Sequence, residues 1–166
     1  MDAGDLLTRW TVRLAMGLYV TALSLRWTAK GRATRLTTAR WAWTGGCLLL
    51  LGHVMCAFAY FHDWSNAAAY QETARRTAEM VGVAWGGGLY LNYAFTAVWL
   101  ADVAWWWLWP ASYQQRGPAV EWPIQAFMGF IAFNGVVVFA DWPIRVAGLV
   151  ACAVLLIAWA TSRTRN

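Results

Sequence analysis

The chain predicts an all-α, polytopic membrane bundle of five transmembrane helices with one short amphipathic helix on the outer face. Three observations predict it. Of 166 residues, 60% are hydrophobic and only 13% charged, against about 25% charged in an ordinary soluble domain. Five apolar segments recur, at about 6–27, 41–62, 83–109, 122–140 and 144–160, and a helix needs roughly 20 residues to cross hydrocarbon. Most of the 14 Trp fall near segment ends, where an amphipathic ring meets both lipid and water; Trp99 is read as lying well inside. The length suits a single membrane domain, 1–166.

The first segment, Leu6 to Trp27, has a clean core of only Leu14 to Leu25, so Arg13 and Arg26 must reach the interfaces along their alkyl stems. The rival reading is an interfacial amphipathic helix. Asp2 and Asp5 replace the positive start of a cleavable signal, and Arg9 and Arg13 interrupt the apolar run, so the segment is expected to remain in the mature protein. The densest basic stretch, Arg26 to Arg40, reads as a membrane-flanking loop. It lies between apolar segments and carries no paired aromatic platform, which argues against nucleic acid despite the net charge of +5.

The second segment, Trp41 to His62, is long enough to span, and the third, Val83 to Trp109, is the longest. The fourth, Trp122 to Ala140, and the fifth, Ile144 to Ala160, join through a connection so short that they must pack as an antiparallel hairpin. Glu121-Trp122-Pro123-Ile124 and Asp141-Trp142-Pro143-Ile144 share one grammar for a helix start. The carboxylate suits the positive helix N-terminus, and proline costs nothing in the first turn.

Between the second and third segments, Ser65 is the expected N-cap and Gly82 the expected stop of a helix over 65–81. Ala67, Tyr70, Ala74, Ala78 and Val81 fall on one face, with Gln71, Glu72, Arg75, Arg76 and Glu79 on the other. Glu72–Arg76 and Arg75–Glu79 have the i,i+4 spacing of helix ion pairs. Gly82 and Gly86-Gly87-Gly88 point to close packing beneath this outer helix.

Orientation follows from counting bases. With the N-terminus outside, Arg26, Lys30, Arg32, Arg35, Arg40, Arg116, Arg163 and Arg165 lie inside, eight bases against the single acid Glu121. Outside lie five bases, Arg9, Arg13, Arg75, Arg76 and Arg145, against the six acids Asp2, Asp5, Asp63, Glu72, Glu79 and Asp141. The positive-inside rule favours this arrangement, with the C-terminus inside, in a bacterial-type plasma membrane.

Polar residues at membrane depth are expensive and mark candidate sites. His53, Asn92 and Asn134 reach similar depths at about 1.5 Å of rise per residue, so they permit one interhelical hydrogen-bonded cluster, either packing glue or a polar lining. Asp102 lies nearer the inner face, within reach of a base such as Arg116 or Arg40. His62 and Asp63, with Arg75 or Arg76 and Asp141, form the candidate catalytic locus on the outer face.

No cofactor and no metal site is expected. His53 and His62, the only two His, lie on opposite helical faces about 13 Å apart, which rules out bis-His haem ligation within one chain. His53 and Cys56 make only a weak soft-metal pair. Cys47, Cys56 and Cys152 lie inside apolar segments and read as packing residues. No Walker, Rossmann or nucleophile-elbow pattern is present. The expectation is a noncatalytic subunit, scaffold or assembly partner whose partners are the bilayer and other membrane subunits. The alternative is a membrane enzyme or carrier for a lipid-soluble or small substrate, with the outer His/Asp site.

Overall fold

A computed structural model describes residues 3–29 and 31–163, and all regular structure among them is helical. Seven α-helices follow in order: α1 Ala3–Trp27, α2 Ala33–Phe61, α3 Asn66–Val81, α4 Gly88–Leu108, α5 Pro110–Gln114, α6 Pro118–Phe133 and α7 Trp142–Arg163. A π-helical turn, Asn134–Val138, extends α6. Asp2, Lys30 and Arg165, counted in the charge balance, lie outside the described residues.

Three helices, Ala33–Phe61, Pro118–Val138 and Trp142–Ser162, are long and apolar enough to cross a membrane. The expectation of five spans is met only in part. In α1 the charges Asp5, Arg9, Arg13 and Arg26 dilute the apolar run, and in α4 the N–H and O–H groups of its many Trp and Tyr do the same.

The long helices pack as a ring in which α1 meets α2, α2 meets α4, α4 meets α6, and α7 closes on both α1 and the π turn. Contacts between helix ends set their alternating direction. Gly4 at the start of α1 lies against Tyr60 at the end of α2. Arg26 at the end of α1 bonds Glu121 at the start of α6. One end of the ring, the basic end, therefore carries the end of α1, the start of α2, α5 and the end of α7. The opposite end carries α3 and the α6–α7 connection.

The core sits where α1, α2 and α4 meet. Buried positions recur with helical spacing: Ala15, Tyr19, Ala22 and Leu23 on α1; Ala39, Trp43, Cys47 and Leu50 on α2; Phe95, Trp99, Asp102 and Trp106 on α4. Small residues bring α1 and α2 together. A Cβ on Gly46 would stand 2.8 Å from the Trp99 ring and 3.2 Å from the Ala15 carbonyl oxygen. Trp99 is fully buried and packs its ring against Tyr19, Trp43 and Phe95 at 5.0–5.5 Å between centroids. It also donates its indole N–H to the Trp43 carbonyl at 3.2 Å.

At the opposite end, the Ser65 hydroxyl accepts from the Ala68 N–H at 3.2 Å to start α3, and Gly82 stops it with φ +78°. The Glu72–Arg76 and Arg75–Glu79 pairs both form, and Arg75 also bonds Glu72. A hydrogen bond of 2.7 Å from the Tyr93 hydroxyl to Asn66 Oδ1 ties α3 to α4. Gly86 passes directly under α3, where a Cβ would lie 2.5 Å from the Tyr70 carbonyl oxygen.

Several boundaries differ from expectation. Most of the basic stretch is helical and not a loop, because α1 runs to Trp27 and α2 begins at Ala33. Thr37 and Thr38 bond back to carbonyls four residues earlier, so their hydroxyls are satisfied within the helix. The third segment starts late, at Gly88, because Val83 to Gly87 form the passage under α3. The fourth starts early, with Pro118 in its first turn, which leaves Pro123 inside α6. Only the fifth segment opens on its Trp-Pro pair, at Trp142.

The contact beneath α3 predicts that Gly86→Ala lowers stability by about 1–3 kcal/mol through overpacking. Gly17→Ala, at an exposed helical site with open space around its Cβ, should raise stability by up to about 1 kcal/mol. Unfolding of the two variants by denaturing detergent checks this, and an unchanged Gly86→Ala midpoint would show that α3 is not held there.

The Glu72 cluster predicts a pH dependence. Hydrogen bonds from Arg75 and Arg76 hold the Glu72 carboxyl down at about 2. Its contribution to folding is then complete above the ordinary value near 4.5 and is lost as pH falls through about 2. The carboxyl resonance of Glu72 in micelles should titrate well below that of a free glutamate, and a midpoint near 4.5 would remove the cluster.

Candidate functional site

Among the described residues, the basic end holds the one place where charges converge inside the ring. Asp102 and Arg116 each expose only 2% of their side chains, so both charges must be compensated within the protein. The helix repeat points Asp102 inward with Trp99 and Trp106. Pro110 then starts the short α5, which reverses the chain and returns Tyr113 and Arg116 to Asp102.

Asp102 receives three donors. Oδ1 takes the Arg116 guanidinium. Oδ2 takes the Trp43 indole N–H at 2.9 Å and the Tyr113 hydroxyl at 2.8 Å. Burial pushes the Tyr113 phenol above its ordinary value, which keeps it a neutral donor. Its ring stacks on Trp106 at 4.6 Å and 9°, and the Arg116 guanidinium lies 4.0 Å from its centroid. Arg116 turns its Nε to Glu121 Oε2. The same oxygen accepts from Arg26 at 3.0 Å. Two acids and two bases thus balance in one network joining the end of α1, the middle of α2, the end of α4, α5 and the start of α6.

No family model, curated protein or solved structure matches this chain. The site must therefore be read from its own geometry.

That geometry separates the residues singled out by sequence. Among the described residues, no hydrogen bond joins His53, Asn92 and Asn134. His53 Nδ1 lies 2.8 Å from the Thr8 carbonyl oxygen of α1. Asn134 is half-buried and donates at 2.8 Å to the Phe130 carbonyl of its own helix, at the start of the π turn. Asn92 is exposed. Depth along a helix does not fix the direction around its axis.

The outer candidates occupy turns. His62 ends α2 and packs edge-on against Phe58 at 5.7 Å. Asp63 and Trp64 have φ of +44° and +58°, a left-handed reversal that redirects the chain into α3. Asp63 and Asp141 are exposed. Arg75 and Arg76 spend their guanidinium groups on Glu72 and Glu79. Arg145 donates to the carbonyls of Val137, Val138 and Ala140 at 2.8–3.3 Å, capping the end of α6 at the hairpin. No hydrogen bond or ion pair joins His62, Asp63 and Asp141. Among the described residues no group of three His, Cys, Asp or Glu is placed to hold a metal.

Of the two bases considered for Asp102, Arg116 reaches it. Arg40 instead lies 3.5 Å from the Trp107 ring centroid. Sequence reading missed Trp43, Tyr113, Arg26 and Glu121 as members of this network. The short interval from Trp109 to Pro118, with its own proline, tyrosine and arginine, was the available signal.

Breaking a buried pair from one side costs about 3–5 kcal/mol, while removing both charges costs much less. Arg116→Gln should therefore destabilise the protein strongly. Adding Asp102→Asn to that variant should recover more than half of the loss, read as a double-mutant cycle of unfolding in detergent. Simple additivity of the two substitutions would show that the pair is not coupled.

Proposed function

We propose that this chain is a noncatalytic subunit or assembly partner of a membrane complex, crossing the bilayer five times with its basic end on the inner side. The observation that carries the reading is how the interior polar groups are spent. The inner charges satisfy one another, and the outer and midplane polar residues sit on separate turns and helix faces. The geometry therefore offers structural bracing more readily than a set of groups poised for acid–base chemistry.

Five crossings are supported by the alternating direction of α1, α2, α4, α6 and α7 in one ring. α1 and α4 meet the hydrocarbon with their charges drawn inward or to the ends: Asp102 into the network, Arg26 onto Glu121 and Arg9 onto Asp5 at 2.5 Å. The inner placement of the basic end rests on the surplus of bases there.

The face offered to a partner is α7. Only 6% of its apolar window is buried within the chain, against 17% for α2. Leu149, Val150, Val154, Leu156 and Ile157 are all exposed on it. In lipid such a surface is tolerated, and helix association there depends on close packing rather than on escape from water.

A photo-crosslinking residue at Val150 or Leu156, in intact membranes, is expected to yield one discrete protein adduct. The same probe at Leu48 of α2, also exposed, serves as the comparison. Adducts to lipid alone at both α7 positions would overturn the subunit reading. His62→Ala and Asp63→Ala should leave the adduct unchanged.

A further inference from the structure

The ion network satisfies the interior charges but leaves Arg40 outside it. Arg40 lies about 10 Å along α2 from Ala33, at 1.5 Å of rise per residue. It is half-buried at the seam between α2 and the end of α4. Its guanidinium stacks on the Trp107 ring, 3.5 Å from the centroid. No described group accepts a hydrogen bond from it, and its Nε–H is buried without a partner. We propose that Arg40 and Trp107 form a binding site for the phosphate of an anionic phospholipid in the inner leaflet.

The counter-charge must come from outside the chain. Among the described residues, Asp102 and Glu121 are the acids of the basic end, and Arg116 and Arg26 already hold both. An arginine shielded on one face by an indole attracts an anion more strongly than one fully in water, because the local dielectric is lower. Stacking covers the guanidinium face and leaves its edge, where the N–H groups lie. That planar fork matches two oxygens of a phosphate. A buried N–H without an acceptor is rare in a native protein and is a second sign of a missing anion.

The platform is fixed before any lipid arrives. The Trp107 indole donates to Thr44 Oγ1 at 2.9 Å, and the Thr44 hydroxyl donates to the Arg40 carbonyl at 2.9 Å. The ring is therefore tied to the same turn of α2 that carries the cation. Trp41 meets Trp107 edge-on at 4.8 Å and is 60% exposed. It offers an apolar wall to the glycerol and upper acyl chain, at the level where Trp collects in membranes. A preorganised pair of this kind loses little side-chain freedom on binding.

The surroundings select the headgroup. Arg32 and Arg35 precede Arg40, and neither meets an acid; Arg35 donates to the Thr28 carbonyl at 2.9 Å. Their charge repels the ammonium of a zwitterionic lipid and favours a lipid whose one charge is its phosphate. The proposal rests on the reading that the chain crosses the bilayer with this end at the inner surface. It does not depend on what α7 meets, so the test uses the purified chain alone.

The experiment is native mass spectrometry of the intact chain in a nonionic detergent, titrated with phosphatidylglycerol, phosphatidylcholine or inorganic phosphate. The wild type should retain one phosphatidylglycerol in preference to phosphatidylcholine. Arg40→Gln should weaken that retention about fivefold or more, the effect of one basic side chain on anionic lipid. Arg40→Lys keeps the charge but loses the planar fork, and should fall between. Trp107→Leu should also weaken retention, and Arg40→Lys keeps the test readable if the loss of that ring disturbs α4. Arg32→Gln, at an exposed cation with no ring beneath it, should change retention little.

Equal losses in Arg32→Gln and Arg40→Gln would indicate a diffuse basic surface and overturn the site. Equal retention of the two lipids by the wild type would overturn it as well. Displacement of lipid by an equal concentration of inorganic phosphate would overturn the lipid source and leave a soluble phosphate as the ligand. A wild-type chain that stays dispersed without detergent would overturn the bilayer reading and this site together, whereas the other results overturn the site alone.

Discussion

The carboxylate of Asp102 is the constraint around which the basic end is arranged. A charge held at 2% exposure on a largely apolar helix is costly unless its lone pairs are filled. Filling them draws three separate pieces of chain to one point. The indole of Trp43 must face α4, which sets the rotation of α2. The phenol of Tyr113 and the guanidinium of Arg116 must come back toward α4, which requires the reversal at Pro110. Arg116 then carries Glu121 with it, and Glu121 fixes Arg26 and the end of α1. The sharing of atoms among these bonds makes the arrangement of five helix segments a single decision.

The same requirement accounts for where helices begin. α6 opens at Pro118 rather than at Trp122, because Glu121 must already project from a formed turn to reach both arginines. Glu121 lies in the first turn of α6, where a negative charge also suits the helix dipole. Pro123 then falls inside the helix, at the sixth position. Its missing N–H would be matched to the carbonyl of Ala119, close to the helix start, where the chain is best able to relax around the ring.

Local chemistry was legible in the sequence and long-range direction was not. The bounds of α3 were readable because Ser65 and Gly82 act through bonds within four residues of themselves. The opening of α7 at Trp142 was readable for the same reason. Asp102 announced itself as a buried charge needing a base, and Arg116 was one of two bases within reach. Its other donors were hidden, because Trp43 looks like any interfacial Trp until the facing of α2 is known. His53, Asn92 and Asn134 were placed by depth alone, yet they diverge because each helix turns its own way about its axis. Glu121 was read as a helix-start carboxylate. That reading holds locally but misses its partner on α1, ninety-five residues earlier.

A chain of 166 residues spread over several long helices leaves most of each helix facing outward. In water this would be a severe cost, since apolar burial is the main driving force for folding. In lipid that force between helices disappears, and close contact and polar bonds must hold them together. The molecule divides its means accordingly. Where α1 meets α2, the residues are small, with Ala15, Ala22, Ala39 and Gly46 at the seam, and a Cβ on Gly46 would strike both the Trp99 ring and the Ala15 carbonyl. Where α1, α4, α5 and α6 meet, charged bonds serve instead. On α7 neither means is used along the outer face, although Gly148 packs against the Val136 carbonyl of the π turn, where a Cβ would stand at 2.6 Å. α7 meets α1 on one side and the π turn through Gly148 on another, and Arg145 near its start caps the end of α6, while its outward side stays uncovered by this chain.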